Sequence, residues 1–372
     1  MERRNFLQAG LFAGFAGIGS VESLIDLGFT RRPSDGTVRL SSNENPLGIS
    51  PAARQAVIDA MVDANRYPGA ARSAVVDAVA GYHEVDPSNV LVGNGSTEVL
   101  QIMVQLFGQG ARIVVADPTF EDVPRYAAAV GVPLHRVPLL SDMSHDLPGM
   151  MQAVEDWDGP SIVYLCNPNN PTGTLTSSSA IDNWIEHAPA DVLFVVDEAY
   201  FDYAIGAPDY KTTLPWIRTK PNVVVVRTFS KVFGMAGMRL GYGLAHADTI
   251  SKVGSLASHN NANNLACAAA IASLNDRAFA RRSIEINHEA REILHGVLDA
   301  MGIEYFASHT NFLMHRIAGD LREYIDRMRE HGFNVGRPFP PMTSYNRVSF
   351  GLPDDMVRFG ETLRLFRERG WV

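Results

Sequence analysis

Four valines, Val223 to Val226, lead through Arg227 into Thr228-Phe229-Ser230-Lys231, and Arg239 stands eight residues after the lysine. A lysine that is partly desolvated beside another cation gives up its proton readily and becomes an amine nucleophile toward carbonyls. A solvated loop lysine is the plain alternative, since most lysines are exposed. Asp197 closes a second apolar run, VLFVVD. An acid there needs a cation or a protonated ring nitrogen beside it, because an unpaired buried charge is strongly unfavourable. Tyr200, three residues on, can offer a phenol to the same ligand. Asn170 lies in CNPNNPTG after a third apolar run, where the local reading is an Asx-rich, proline-locked turn.

The stretch GNGSTE, residues 93–98, follows the run VLVG and puts the hydroxyls of Ser96 and Thr97 beside the free N–H groups of a helix start. Such an end binds phosphate. A dinucleotide fingerprint competes, since Asp117 ends a later run, but that motif needs a third glycine where Glu98 stands. A plain N-cap without a ligand is the other reading.

All these residues sit at the ends of runs that read as strands. The strand candidates are 90–93, 112–117, 161–166, 192–200, 222–228 and 239–245, with helical stretches between them at 97–107, 120–130 and 177–187. Strands alternating with helices of this length imply crossover units and a mainly parallel sheet covered on both faces. In open sheets of this kind ligands bind in the crevice at the strand ends. After Asn275 come a long charge-laced helix (277–301), the strand-like runs IEYF, NFLMHRI, NVGRPF and NRVSF, a helix at 321–331 and a last one from Asp354, which suggests a smaller α+β unit.

With 372 residues the chain has room for about two domains on a prior of roughly 150 residues each. Hydrophobic residues make up 46% and charged residues 20%, with a net charge of −9, which fits a folded globular chain and argues against a nucleic-acid partner. Two cysteines, neither in a C-x-x-C pair, give no disulfide framework and no metal set. The first residues, MERRNFLQAGLFAGFAGIGS, have the order of a twin-arginine export signal and are too short and Gly-rich to span a bilayer. Export to the periplasm is therefore expected. The alternatives are a cytoplasmic chain and an N-terminal arm packed on the body or on a second subunit.

NPNNPTG, DEAY, TFSK with Arg239 eight residues beyond its lysine, SSNENPLG and NRYPG, in this order, resemble the class I/II aminotransferases of pyridoxal-phosphate fold type I. The closest likeness is to the histidinol-phosphate aminotransferase branch, and it runs from about Leu40 to the C-terminus. The resemblance implies an α/β large domain with a mainly parallel, seven-stranded type of sheet, plus a smaller α+β domain. The division it suggests is a signal or arm at 1–33, a segment covering the active site at 34–65, a large domain at 66–274 and a small domain at 275–372.

The same resemblance implies roles. Lys231 forms the internal aldimine with pyridoxal 5'-phosphate and moves the substrate's α-proton. Asp197 keeps the pyridine nitrogen protonated, and Asn170 and Tyr200 bind the phenolic oxygen. Phe120 stacks on the ring, and Ser96, Thr97, Thr228, Ser230 and Arg239 hold the phosphate. Tyr67 reaches the phosphate of a neighbouring subunit, which implies a homodimer. Asn45, Arg337 and Arg347 bind the substrate, the two arginines its anion and Asn45 from the segment over the site. An aspartate is commoner in the family where Thr97 stands, which departs from the pattern without removing the site. Two further functions share these residues: a decarboxylase of the threonine-phosphate type, differing in which bond of the α-carbon is set perpendicular to the ring, and a non-catalytic relative that only binds ligand. The amino donor is left open.

Overall fold

The computed structural model describes residues 36–372. The Arg3-Arg4 signal and the whole 1–33 arm lie outside the described residues, together with residues 34 and 35.

Seven strands form the central sheet: β2 (Val90–Gly93), β3 (Arg112–Asp117), β4 (Leu134–Pro138), β5 (Ser161–Cys166), β6 (Val192–Asp197), β7 (Val223–Thr228) and β8 (Gly241–Ala245), in the order β2-β8-β7-β6-β5-β3-β4. Only β8 runs antiparallel to its neighbours, β2 and β7. β5, β6 and β7 lie in the middle with every residue buried, so their sequences are continuous apolar runs rather than alternating ones. Side chains alternate between two cores. Val163, Leu165, Phe194, Val196, Val223 and Val225 face the core covered by helices Gly69–His83, Ser178–His187 and Asn264–Asn275. Ile162, Tyr164, Val195, Val224 and Val226 face the other, covered by helices Gly95–Phe107 and Asp122–Ala129.

The C-terminal unit is built on helices Arg277–Met301, Leu321–Glu330 and Pro353–Glu368. They pack with two small sheets, β9 (Phe312–Arg316) antiparallel to β11 (Tyr345–Ser349) and β1 (Val38–Leu40) parallel to β10 (Phe333–Val335). The segment 34–65 does not behave as one piece. Its strand β1 completes a sheet of the C-terminal unit, whereas its helix Pro51–Ala60, capped by Ser50, packs on helix Asn264–Asn275 of the large unit.

Several boundaries differ from the sequence reading. The strand expected over 192–200 stops at Asp197, because Glu198 to Tyr200 turn into the short helix Phe201–Ala204. The strand expected from Arg239 starts at Gly241, since Arg239 takes a left-handed backbone (φ +58°) at the end of a 3-10 turn. IEYF contributes a single bridge, Tyr305 to His315. Strand β4 and helix Leu147–Glu155 were not foreseen; β4 is an edge strand with exposed polar residues and lacks an apolar run to announce it. Among the described residues no helix is long and apolar enough to cross a membrane.

Candidate active site

The C-terminal ends of β5, β6 and β7 open on a cavity of about 390 Å³, roofed by Ser42, Asn43 and Glu44 and by Arg337, Phe339 and Arg347 of the C-terminal unit. Alternation along the strands selects what enters it. Asp197 follows Val195 on the face toward helix Gly95–Phe107, and Thr228 follows Val226 on the same face. Glu198 and Arg227, one residue away from each, therefore pair on the opposite face at 2.7 Å.

One end of the cavity is an anion cradle. Ser96 and Thr97 begin helix Gly95–Phe107, whose free amides favour negative charge, and Thr228, Ser230 and Arg239 close the ring around them. Two glycines make the close approach possible. A Cβ on Gly95, which has φ +74°, would run into the Arg239 guanidinium, and one on Gly241 into the Ser96 amide. Thr228 donates to the Ser230 hydroxyl at 3.0 Å, and Thr97 donates to Asp122 Oδ2 at 3.2 Å.

At the other end stands Lys231. Its Nζ donates to the Asn43 carbonyl at 3.2 Å and lies 5.3 Å from the centre of the Tyr200 ring. Burial, and after it the positive charge of Arg347, lower its pKa to about 8; Arg239 contributes least among the named charges. The cation that matters most to the lysine is thus Arg347 rather than the Arg239 suggested by sequence proximity. Asp197 is 2% exposed and accepts from the Tyr164 hydroxyl at 2.9 Å and the Ala199 amide at 3.1 Å, with no cation in ion-pair range among the described residues. Burial raises its carboxyl to about 6, although the Tyr164 hydroxyl, the Ala199 amide and Lys231 act against that rise.

Between them lies a phenol. Tyr200 Oη accepts from Asn43 Nδ2 at 3.0 Å and from Asn170 Nδ2 at 3.4 Å, and burial pushes its pKa well up. Arg347 donates through Nη1 to Asn170 Oδ1 at 2.7 Å and through Nη2 to the Ser41 carbonyl at 2.8 Å, leaving its buried Nε without a partner among the described residues. Burial first, then Arg337, brings its pKa down to about 10. Arg337 is more exposed; its guanidinium lies 4.2 Å from the Phe339 ring centre and donates to the Pro338 carbonyl. Phe120 lines the cavity wall beside Thr119.

Two sequence-predicted residues lie elsewhere. Asn45 is not at the cavity: its Nδ2 donates to the Val232 carbonyl and the Ser283 hydroxyl, so it pins the covering segment from outside. The asparagine at the cavity is Asn43, two residues earlier in the same NENP stretch, with φ +54° and its amide held by Ser349. Tyr67 is 87% exposed and touches nothing in its own chain's cavity. Tyr164 and Phe339 were also missed, since one reads as strand filler and the other as a loop aromatic.

The arrangement fits pyridoxal 5'-phosphate by the chemistry of its donors. A cradle of amides, hydroxyls and a guanidinium suits the phosphate, a buried acid without a cation suits a protonated ring nitrogen, and a lysine of lowered pKa suits the aldehyde.

Comparison with known proteins agrees with that chemistry. The family described as aminotransferase class I and II matches residues 35–359. A histidinol-phosphate aminotransferase of Halalkalibacterium halodurans is 41% identical over 299 residues, 80% of each chain. One of Bacillus licheniformis is 34% identical over 334 residues, covering 88% of this chain and 91% of its own. The crystal structure of histidinol-phosphate aminotransferase from Sinorhizobium meliloti in complex with pyridoxal-5'-phosphate superposes with a TM-score of 0.82 at 27% identity, covering 97% of both chains. This chain therefore belongs to the class I and II aminotransferase family and is a pyridoxal-phosphate-dependent transaminase.

Proposed function

We propose that the enzyme moves an amino group between an L-amino compound of the histidinol-phosphate kind and a 2-oxo acid such as 2-oxoglutarate. The observation that carries this reading is Arg347, a nearly buried guanidinium at the cavity whose Nε has no partner among the described residues, next to the more exposed Arg337. Two arginines at one end suit a donor or acceptor bearing a carboxylate or phosphate. The names of the relatives support the same substrate class.

The cofactor, when bound, supplies an electron sink for the bond broken at the donor's α-carbon. The chain supplies the rest. Lys231 Nζ takes the proton from that carbon and returns it during the exchange. Asp197 would hold a positive charge at the ring nitrogen of the bound cofactor, while Asn170 and Tyr200 would hydrogen-bond its ring oxygen. Ser96, Thr97, Thr228, Ser230 and Arg239 would retain its phosphate, and Phe120, on the cavity wall, would stack on its ring. A screen of amino donors, following loss of the cofactor's visible absorbance and formation of pyridoxamine phosphate, tests the reading. Histidinol phosphate should be consumed with 2-oxoglutarate as acceptor. Release of carbon dioxide from a threonine phosphate donor instead would replace it with a decarboxylase.

Assembly as a homodimer belongs to the same proposal. Ile58, Met61, Val62 and Tyr67, between 55% and 87% exposed, form an apolar stretch around the end of helix Pro51–Ala60, the sort of surface a second copy covers. Export through the twin-arginine route is proposed on Arg3, Arg4, Phe6 and Leu7 alone.

A further inference from the structure

Tyr164 lies in the middle of β5 with none of its surface exposed. β5 and β6 are parallel, with Tyr164 opposite Val195 and Cys166 opposite Asp197. Tyr164 and Asp197 are thus diagonal neighbours on one face, close enough for a long side chain to bridge. The phenol reaches Asp197 Oδ2 at 2.9 Å, and the Ala199 amide holds Oδ1 at 3.1 Å. The direction of the bond is fixed, since a carboxylate has no proton to give and the phenol must donate.

A phenylalanine would fill the same space and suit an apolar strand better, because a buried hydroxyl needs a partner. Among the described residues the Tyr164 hydroxyl donates to Asp197 at 2.9 Å, with the weakly accepting Cys166 sulfur as its other polar neighbour. We propose that Tyr164 is a positioning residue for transamination, its phenol fixing the rotation of the Asp197 carboxylate and favouring its charged form against the ring nitrogen of the cofactor. The inference rests on Asp197 meeting that nitrogen. A donor bond stabilises the carboxylate, and burial works the other way, raising Asp197 to about 6. Cys166, Tyr200, Lys231 and Asp122 are the other ionisable groups that act on or feel the carboxylate; burial keeps the Cys166 thiol and the Tyr200 phenol neutral, Lys231 favours the charged form of Asp197, and Asp122 opposes it. The phenol is therefore the nearest group that holds the acid in both place and charge.

The test is a cycle of Tyr164→Phe and Asp197→Asn, reading the affinity of the apoenzyme for pyridoxal phosphate, and kcat and donor KM of the loaded enzyme. Tyr164→Phe should weaken cofactor binding and lower kcat by about tenfold or more, the size expected for a hydrogen bond to a charged group, with KM nearly unchanged. In the Asp197→Asn background the same change should shift each quantity less than about twofold, as expected when the coupling partner has been removed. Tyr164→Leu, which deletes the hydroxyl in a different shape, should reproduce these losses if either variant folds poorly. Losses of equal size in both backgrounds, or no loss in the wild-type background, overturn the proposal. Full activity and cofactor affinity in Asp197→Asn alone would instead remove the assignment of Asp197 on which it rests.

Discussion

Arg347 Nη1 lies 2.7 Å from Asn170 Oδ1, so a side chain of β11 in the C-terminal unit is tied to the turn after β5 in the large one. The same asparagine donates from Nδ2 to Tyr200. Substrate recognition and the hydrogen bonding of the phenol are therefore joined in one chain of contacts, Arg347 to Asn170 to Tyr200, closed by Asn43 on the other side.

Arg347→Lys keeps a positive charge and loses the planar fork, so Asn170 and the substrate anion cannot both be held. The expected result is a fall of about 10–100-fold in kcat/KM for the amino donor, roughly 1.4–3 kcal/mol. Steady-state kinetics check it, and an unchanged kcat/KM would place the anion elsewhere.

Lys231→Ala should abolish turnover without unfolding the chain, because the side chain lines the cavity and among the described residues makes one hydrogen bond, to the Asn43 carbonyl. Cofactor should still bind through the phosphate cradle, but the visible band of the covalently attached cofactor should be lost. Substantial remaining transamination would take the nucleophile's role from Lys231.

The pH dependence of cofactor loading follows from the lowered pKa of Lys231, about 8 against an ordinary value of 10.5. Below about 8 the lysine is a protonated ammonium and cannot attack a carbonyl; above it the free amine predominates. The rate of loading onto apoenzyme, followed by visible absorbance in stopped flow, should rise with pH up to about 8 and then level off. Arg347→Met, which removes the second-largest cause of the lowering, should move the plateau to higher pH. A rate that climbs without a break toward 10.5 contradicts the reading of a desolvated lysine.

The address is tested by changing Arg3 and Arg4 together to lysine and fractionating cells. Export predicts that the enzyme moves from periplasm to cytosol with its specific activity unchanged. If native enzyme is already cytosolic, and removing residues 1–30 breaks a dimer, the N-terminus is an arm and not a signal.

The sequence by itself determined the sheet and most of its edge chemistry. Parallel strands buried on both faces must be continuous apolar runs, so VLFVVD and VVVVRT announced β6 and β7, and the polar residues that end them had to lie at the crevice. Strand β4 was silent because an edge strand needs no such run. Only the tertiary structure decided the contacts between residues far apart in the chain. Asn43 rather than Asn45 enters the cavity because a left-handed backbone at Asn43 and the Ser349 hydroxyl, 306 positions away, turn it inward. Arg347 rather than Arg239 dominates the charge felt by Lys231, since field strength follows distance and burial in space, not spacing along the chain. Tyr164 reads as one more apolar strand residue until the register of β5 against β6 sets its hydroxyl on Asp197. Register is fixed by pairing and packing across the whole sheet, and no local stretch of sequence carries it.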